Sequence, residues 1–511
     1  MKISLFQLLQ FLIYFTQTTQ QELSNLEFST KNNYDKHKFS TKNKNLTKKY
    51  PYCSHSTKKV IMKRIIDHYL LQWKNSNIRK PLLLRGARQV GKTFAVQKLG
   101  ETYENFVEVN FENQPNMRSI FNQDLDPQRI IQELSLELAK PIIPGQTLLF
   151  LDEIQMAPQA IIALRYFYER MPDLHIIAAG SLLDFAIQQT GVPVGRVEFM
   201  HMYPLSFIEY VAAMEGSMTI QEILKHDLSS PLFTVMHERL LRSVGQYLAL
   251  GGMPEVVQNW ITTKSALDSH IIHSSIILAY RYDFIKYART LQIKYVEQIF
   301  KQIPLQLGQK FKYSLIEGDY RKRELAPALD LLITAGIARK VYYSSGQGIP
   351  LGAQIDVFDY KVIFLDAGLA QANMGLNFKD WFLRPQQEFI NKGALVEAFV
   401  GQEIAVYTTP SDQNDLCYWH KDAAPHQAEI DYLVQIDNKI IPVEVKSGSG
   451  RTLKSIQYFL ATHPESPYGI RFSTNNYSNY DRIHSYPLYA IAKVMTEDNP
   501  EMRAAIESLV A

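Results

Sequence analysis

The sequence predicts an α/β protein: a parallel sheet covered by helices on both faces, then a mainly helical stretch, then a second α/β region. Three observations predict it. The apolar runs LLLRG, FVEVNF, LLFLDE and HIIAAGS alternate with amphipathic segments such as RIIQELSLELAK. Strands that are apolar almost throughout, with helices between them, belong to a sheet buried on both faces. From about position 206 the pattern turns helical, broken by GGMP at 251–254, and the last region carries a hairpin pattern at 428–448.

Composition bounds the rest. A chain of 511 residues has room for about three domains. A net charge of +3 excludes a strongly basic, nonspecific nucleic-acid binder but leaves room for a local basic groove. Cys53 and Cys417 are the only cysteines and lie far apart. That excludes a disulfide framework and a cysteine zinc site, and favours a reducing, cytoplasmic compartment. The first twenty residues place Lys2 before an apolar run, but Gln7 and Gln10 interrupt it. No small-residue cleavage site follows, and the run is short for a membrane span. A Lys/Asn/Ser/Thr-rich stretch then has little to bury. Residues 1–61 are therefore expected as a disordered or spurious extension, with Met62 the true start; a weak membrane anchor is the alternative.

Residues 62–207 are expected as the first α/β core and 208–290 as a helical lid or linker. In 291–345, ELAPALDLLITAG has apolar residues at helical spacing and Gly336 as a stop, and IARKVYYSSGQG reads as a strand entering a turn. Helix followed by wing predicts a winged-helix-like unit. Lys310, Lys312, Arg321, Lys322 and Arg323 interleave there with Phe311, Tyr313 and Tyr320, either as a nucleic-acid surface or as a solvated helix face. Residues 346–495 form the second α/β region and 496–511 a tail.

PLLLRGARQVGKTFAVQKL contains G-x-x-x-x-G-K-T at 86–93, after an apolar strand and at the start of a helix. This is the context a P-loop requires. Gly86 and Gly91 let the backbone wrap closely around phosphates, and the N–H groups of the loop Gly86, Ala87, Arg88, Gln89, Val90, Gly91, Lys92 and Thr93 favour an anion. Lys92 reaches the β- and γ-phosphates and the Thr93 hydroxyl ligates Mg²⁺, so ATP with Mg²⁺ is the expected ligand. In LLFLDEIQ, Asp152 emerges from a buried strand to hold Mg²⁺ directly or through water, and Glu153 can orient and deprotonate the attacking water. Ser181, at the end of HIIAAGS, either senses the γ-phosphate or water or caps a helix. Arg196 is either an arginine finger toward a neighbour's nucleotide or an ordinary surface arginine.

In AEIDYLVQIDNKIIPVEVKSG, two alternating segments flank Asp437-Asn438, which suits a hairpin turn. A turn centred there sets Asp431 opposite Glu444 and Glu429 opposite Lys446. Residues two apart share a face, so these four charges form one patch and Ile430, Tyr432, Val434, Ile441, Val443 and Val445 take the other face. From the residues alone, this is a salt-bridged sheet surface as readily as a site.

GARQVGKT, LLFLDEIQ, AAGSLL, GRVEF with PLSF, GGMPEVV, FLDAGL and EIDYLV…IPVEVKSG occur in this order. Together they resemble a large prokaryotic family of AAA+-type ATPases whose C-terminal domain of unknown function is related to the PD-(D/E)xK nuclease fold. Ala87 stands where that family more often has Pro. The resemblance implies that Asp431 and Glu444 hold a second Mg²⁺ or Mn²⁺, with Lys446 orienting or activating water for phosphodiester attack. Glu397 would be an additional acid, and Glu429 either a further acid or the partner of Lys446. A nuclease fold does not establish nuclease activity. Three functions follow: an ATPase that drives or gates its C-terminal region on DNA or RNA, a nucleotide-dependent switch that docks DNA or a protein partner, and an ATP-controlled nuclease. A homo-oligomer is compatible with each.

Overall fold

The computed structural model describes residues 62–510 apart from positions 182, 288–291, 377, 413, 422–426 and 449–452. The expectations for residues 1–61, Cys53 included, lie outside the described residues.

The first sheet comprises β1 (Leu82–Arg85), β2 (Asn105–Asn110), β3 (Thr147–Asp152), β4 (His175–Ala179) and β5 (Glu198–His201) in the order β2-β3-β4-β1-β5. Every pairing is parallel. β3 and β4 are buried along their whole length, which is why they read as unbroken apolar runs. β5 is a partly buried edge strand, so EFMH carries no such run and does not announce itself. Asp126 caps the helix Pro127–Leu138 by accepting the Arg129 N–H, with Pro127 in the first turn.

Five helices follow between Phe207 and Tyr287. The GGMP break separates Thr234–Leu250 from Pro254–Thr263, and its glycines are forced by contact. Gly251 has φ 72°, and a Cβ on it would lie 2.0 Å from Asp366 Oδ1; one on Gly252 would lie 2.0 Å from the Leu205 carbonyl oxygen. The Asp366 carboxylate accepts the Gly252 N–H at 2.6 Å and caps the helix Ala367–Asn373 through the Leu369 N–H at 2.8 Å. PLSF, GGMP and FLDAGL, far apart in sequence, thus meet at one buried point.

The second sheet has eight strands: β6 (Ala338–Ser344), β7 (Ile355–Phe364), β8 (Leu416–Lys421), β9 (Ala428–Ile436), β10 (Lys439–Lys446), β11 (Gly469–Ser473), β12 (Ser478–Tyr480) and β13 (Ile483–Pro487). Their order is β12-β13-β11-β10-β9-β8-β6-β7, with parallel and antiparallel pairs mixed. The expected helix is present as Lys322–Thr334, and Gly336 has φ 71°. The strand after it, β6, pairs with both β7 and β8, so the expected edge at 345/346 falls between paired strands of one continuous sheet. The segment expected as a tail contains the helix Pro500–Ser508. It buries Met502, Ala505 and Ile506, and the Tyr69 hydroxyl of the helix Ile65–Asn75 meets Met502 Sδ at 4.0 Å.

The two regions are packed together. Buried Glu403 accepts the Phe207 N–H at 2.9 Å and the Tyr407 hydroxyl at 2.5 Å, and burial pushes its carboxyl up to about 8. Of the basic residues at 310–323, Lys310 pairs with Asp359 and Lys322 lies over the Tyr313 and Phe358 rings. Phe311 is buried, and the Tyr313 hydroxyl meets that of Tyr360 at 2.9 Å, so these aromatics serve the core. Among the described residues, no helix is long and apolar enough to cross a membrane.

Asp366 supports both the glycine turn and a helix N-terminus. Asp366→Ala is expected to lower stability by about 2–4 kcal/mol, the sum of a lost cap and an unsatisfied buried N–H. The shift of a urea unfolding midpoint at unchanged slope measures it.

Candidate functional site

A pocket of about 740 Å³ opens where the loop 86–93 meets the ends of β3 and β4 and the helix Pro254–Thr263. The loop is bent at Gly86 (φ 135°), Gln89 (φ 63°) and Gly91 (φ 102°). A Cβ on Gly86 would lie 2.2 Å from the Met202 carbonyl oxygen, so only glycine fits between the loop and the segment after β5. Arg64, which also lines the pocket, braces the loop. Its guanidinium donates to the carbonyls of Val90 at 3.0 Å and Tyr203 at 2.8 Å, and pairs with buried Glu209 at 3.0 Å.

Lys92 opens the helix Lys92–Gly100, and its ammonium is buried. It donates to the carbonyl oxygens of Gly86 at 2.9 Å and Ala87 at 2.8 Å. Desolvation lowers its pKa to about 8, although Glu153 and Asp152 pull it back. At the tip of β3, the Asp152 carboxylate accepts the Thr93 hydroxyl at 3.2 Å and the Asn110 side-chain amide at 3.1 Å. Burial first, and the neighbouring Glu153 second, raise its pKa to about 6. Desolvated negative charge facing a hydroxyl is a donor set that fits Mg²⁺, which takes one or two carboxylates and completes its shell with phosphate oxygens and water.

Glu153 sits in the left-handed region at φ 52°, a conformation that costs about 1–3 kcal/mol for a non-glycine residue. The Gln155 amide donates to Glu153 Oε2 at 2.5 Å. The same amide lies against Gly180, where a Cβ would come 2.0 Å from Gln155 Oε1. Gln155 therefore packs between the carboxylate and Gly180, just past the tip of β4. The next residue, Ser181, is buried, lines the pocket, and has no hydrogen-bond partner for its hydroxyl. The structure thus brings the loop 86–93, Asp152, Glu153 and Ser181 to one cavity. Arg196 stands outside it, exposed, with Nε 3.3 Å from Glu169. The loop also reaches beyond the pocket: Arg88 makes two 3.0 Å bonds to the Asp283 carboxylate, and the Tyr280 hydroxyl donates to its carbonyl at 2.8 Å.

Sequence reasoning did not find Arg64, Gln155, Asp283 or the pocket wall formed by Pro254, Glu255, Gln258 and Asn259. Only Gln155 and the GGMP segment lay within motifs that could have signalled them.

The hairpin keeps its expected register from Lys439↔Ile436 to Val443↔Tyr432, around a turn with φ 48° at Asp437 and 56° at Asn438. Beyond it the pairing changes. Against β8, β9 advances three residues from Ile430 to Leu433 while its partner advances two, a bulge over Asp431 and Tyr432. The simple alternation therefore fails: Ile430 joins one core cluster with Leu433 and Ile440, while Tyr432, Val434, Ile441 and Val443 join another. Asp431 accepts the Val445 N–H at 2.7 Å. Lys446 pairs with Glu444 of its own strand, and Glu429 pairs with Lys361 of β7, not with Lys446. Lys361 also bonds Glu397 of the helix Gly393–Val406 at 2.8 Å. Burial and Asp431 raise the Glu397 carboxyl to about 7, against the pull of Lys361.

Residues 78–211 match the model of an AAA domain; this segment is an AAA-type P-loop ATPase domain. Residues 241–380 and 392–491 match two domains of unknown function, DUF8612 and DUF4143. No curated protein matches the chain. Among solved structures, the Walker-type ATPase PABY2304 of Pyrococcus abyssi is 16% identical, with a TM-score of 0.39, over 61% of this chain and 96% of that one. PCH-2 of C. elegans is 12% identical, with a TM-score of 0.24, over 39% of this chain and 62% of that one.

The two shifted groups set a pH window for the pocket. Asp152 loses its charge as pH falls through about 6, and Lys92 loses its charge as pH rises through about 8. Affinity for Mg²⁺·ATP is expected to be highest between these values and to fall on either side, with Lys92→Ala lowering it throughout. Calorimetric titrations from pH 5 to 9 read both effects.

Proposed function

We propose that the chain binds and hydrolyses ATP with Mg²⁺, and that the cycle drives or gates its C-terminal region on nucleic acid. The observation that supports this best is Lys92, a desolvated ammonium that donates hydrogen bonds to carbonyl oxygens of its own loop, beside a paired Thr93 and Asp152. In this reading the amides of loop 86–93 and Lys92 hold the phosphates. Thr93 and Asp152 hold Mg²⁺, which spreads the charge of the β- and γ-phosphate oxygens when bound. Glu153 takes the proton of the attacking water as the bond between the γ-phosphorus and its leaving oxygen breaks. Ser181 supplies a hydroxyl that orients the water or the γ-phosphate. Arg196 would serve a neighbouring copy's nucleotide in a homo-oligomer, after giving up Glu169.

The coupling would run through the loop itself. Arg88 grips Asp283 on the helix Ala266–Tyr287, and Gly336, just before β6, would bring a Cβ within 3.4 Å of the Ala87 nitrogen. A loop that tightens on phosphate moves both contacts, one leading to the helical region and one to the C-terminal sheet. That sheet keeps the acids and lysine implied by its resemblance to PD-(D/E)xK enzymes, which supports a nuclease-like origin. A second reading, a nucleotide-dependent switch that docks DNA or a protein without cutting, is favoured by Lys361 among those acids. A cytoplasmic location agrees with the free, buried thiol of Cys417.

Glu153→Gln should keep ATP affinity and lose hydrolysis by about 100-fold or more, the usual weight of a general base. Single-turnover assays with and without DNA and RNA measure it. Wild-type protein that turns over no ATP under any of these conditions would leave the switch as the surviving reading.

A further inference from the structure

The resemblance to PD-(D/E)xK enzymes implies a divalent cation between Asp431 and Glu444, and the residues present do not fit one. Asp431 Oδ2 is committed to the Val445 N–H at 2.7 Å. Glu444 is buried, with Oε1 2.5 Å from Lys446 Nζ and Oε2 without a hydrogen-bond partner among the described residues, so it offers one oxygen of the several a divalent ion needs. The further acids Glu397 and Glu429 are taken by Lys361, which is 3% exposed on β7. Its Nζ lies 2.8 Å from Glu397 Oε1, in contact with Glu429 Oε1, and 5.1 Å from the centre of the Tyr418 ring. An ammonium offers three N–H donors and no acceptor; here they meet two carboxylates and a ring face. Mg²⁺ instead demands about six oxygens in a near-octahedral shell. Among the described residues, no group of three or more His, Cys, Asp or Glu is placed to hold a metal.

We propose that Lys361 is the resident cation of the C-terminal acid cluster: its ammonium takes up Glu397 and Glu429, two acids a divalent ion would draw on, and ties β7, the helix Gly393–Val406 and β9 into a fixed clamp. The region then performs no metal-dependent phosphodiester hydrolysis, and its nuclease-like acids serve as anchors. Burial works against a charged lysine, but Glu397, Asp431 and Glu429 outweigh it and hold the ammonium above the usual lysine range. The inference is independent of ATP turnover, because its groups lie outside the nucleotide pocket.

The test is Mn²⁺ binding by full-length protein carrying Asp152→Ala, which disables the nucleotide-site metal, read by calorimetry and by the electron paramagnetic resonance of free Mn²⁺. With Lys361 in place, no Mn²⁺ that depends on Asp431 is expected. Adding Lys361→Met should create one equivalent of bound Mn²⁺, and further adding Asp431→Asn should remove it. Two results would overturn the proposal: an Asp431-dependent Mn²⁺ site in the protein that retains Lys361, or a folded Lys361→Met protein that gains none. If Lys361→Met does not fold, strand cleavage decides. Mn²⁺-dependent nicking by wild-type protein that Asp431→Ala abolishes overturns the clamp; nicking that is absent, or unchanged by Asp431→Ala, supports it.

Discussion

A buried ammonium must be balanced by negative charge, and Lys92 makes its hydrogen bonds to carbonyl oxygens while the nearest acids stand off. Much of the first half can be understood as the scaffold for that one group. Gly86 must lack a side chain so that the loop can pass the Met202 carbonyl. Arg64 fixes the loop's far side by holding Val90 and Tyr203 together. The acids at the tip of β3 keep Lys92 charged without neutralising it by direct contact, and that leaves the ammonium's remaining donor for a ligand. A bound phosphate would supply the missing charge, and Mg²⁺ would relieve the crowding of Asp152 and Glu153 that phosphate alone would worsen.

The nucleotide pocket was legible because its chemistry is local. A strand, a glycine-bent loop and a helix start lie within about a dozen residues, and the second acid pair ends a strand whose burial is written in its composition. The hairpin register was legible for the same reason, since two turn residues that tolerate positive φ fix it. What could not be read depends on a third partner. The bulge at Asp431 exists only against β8, and it breaks the alternation that one hairpin alone would keep. Lys361 comes from a strand about seventy residues earlier in sequence, and no spacing rule links it to Glu429. β5 lacks an apolar run because it lies at a sheet edge.

The motifs between the two ends become intelligible only in three dimensions. PLSF, GGMP and FLDAGL each look like a separate signature, yet Leu205, Gly252 and Asp366 share one set of hydrogen bonds. Leu205 donates to the Gly252 carbonyl at 2.7 Å, and Gly252 donates to Asp366. Pro254, just past that knot, lines the nucleotide pocket. A structural junction between the ATPase domain and the C-terminal region is therefore also one wall of the ligand site.

The chain contains two arrangements of lysine with carboxylates, and their difference carries the functional argument. At Lys92 the acids stand off and carbonyls fill in, an arrangement that an anion and a metal would complete. At Lys361 two carboxylates, Glu397 and Glu429, close directly on the ammonium. A divalent ion placed about 4 Å from that ammonium would meet repulsion of about 8 kcal/mol at an effective dielectric of about 20. Breaking such a pair from one side leaves an uncompensated buried charge, whereas the intact pair adds little to stability but fixes which elements meet. In the proposed reading, one end of the protein would change when a ligand arrives, and the other would hold its shape while that change is transmitted.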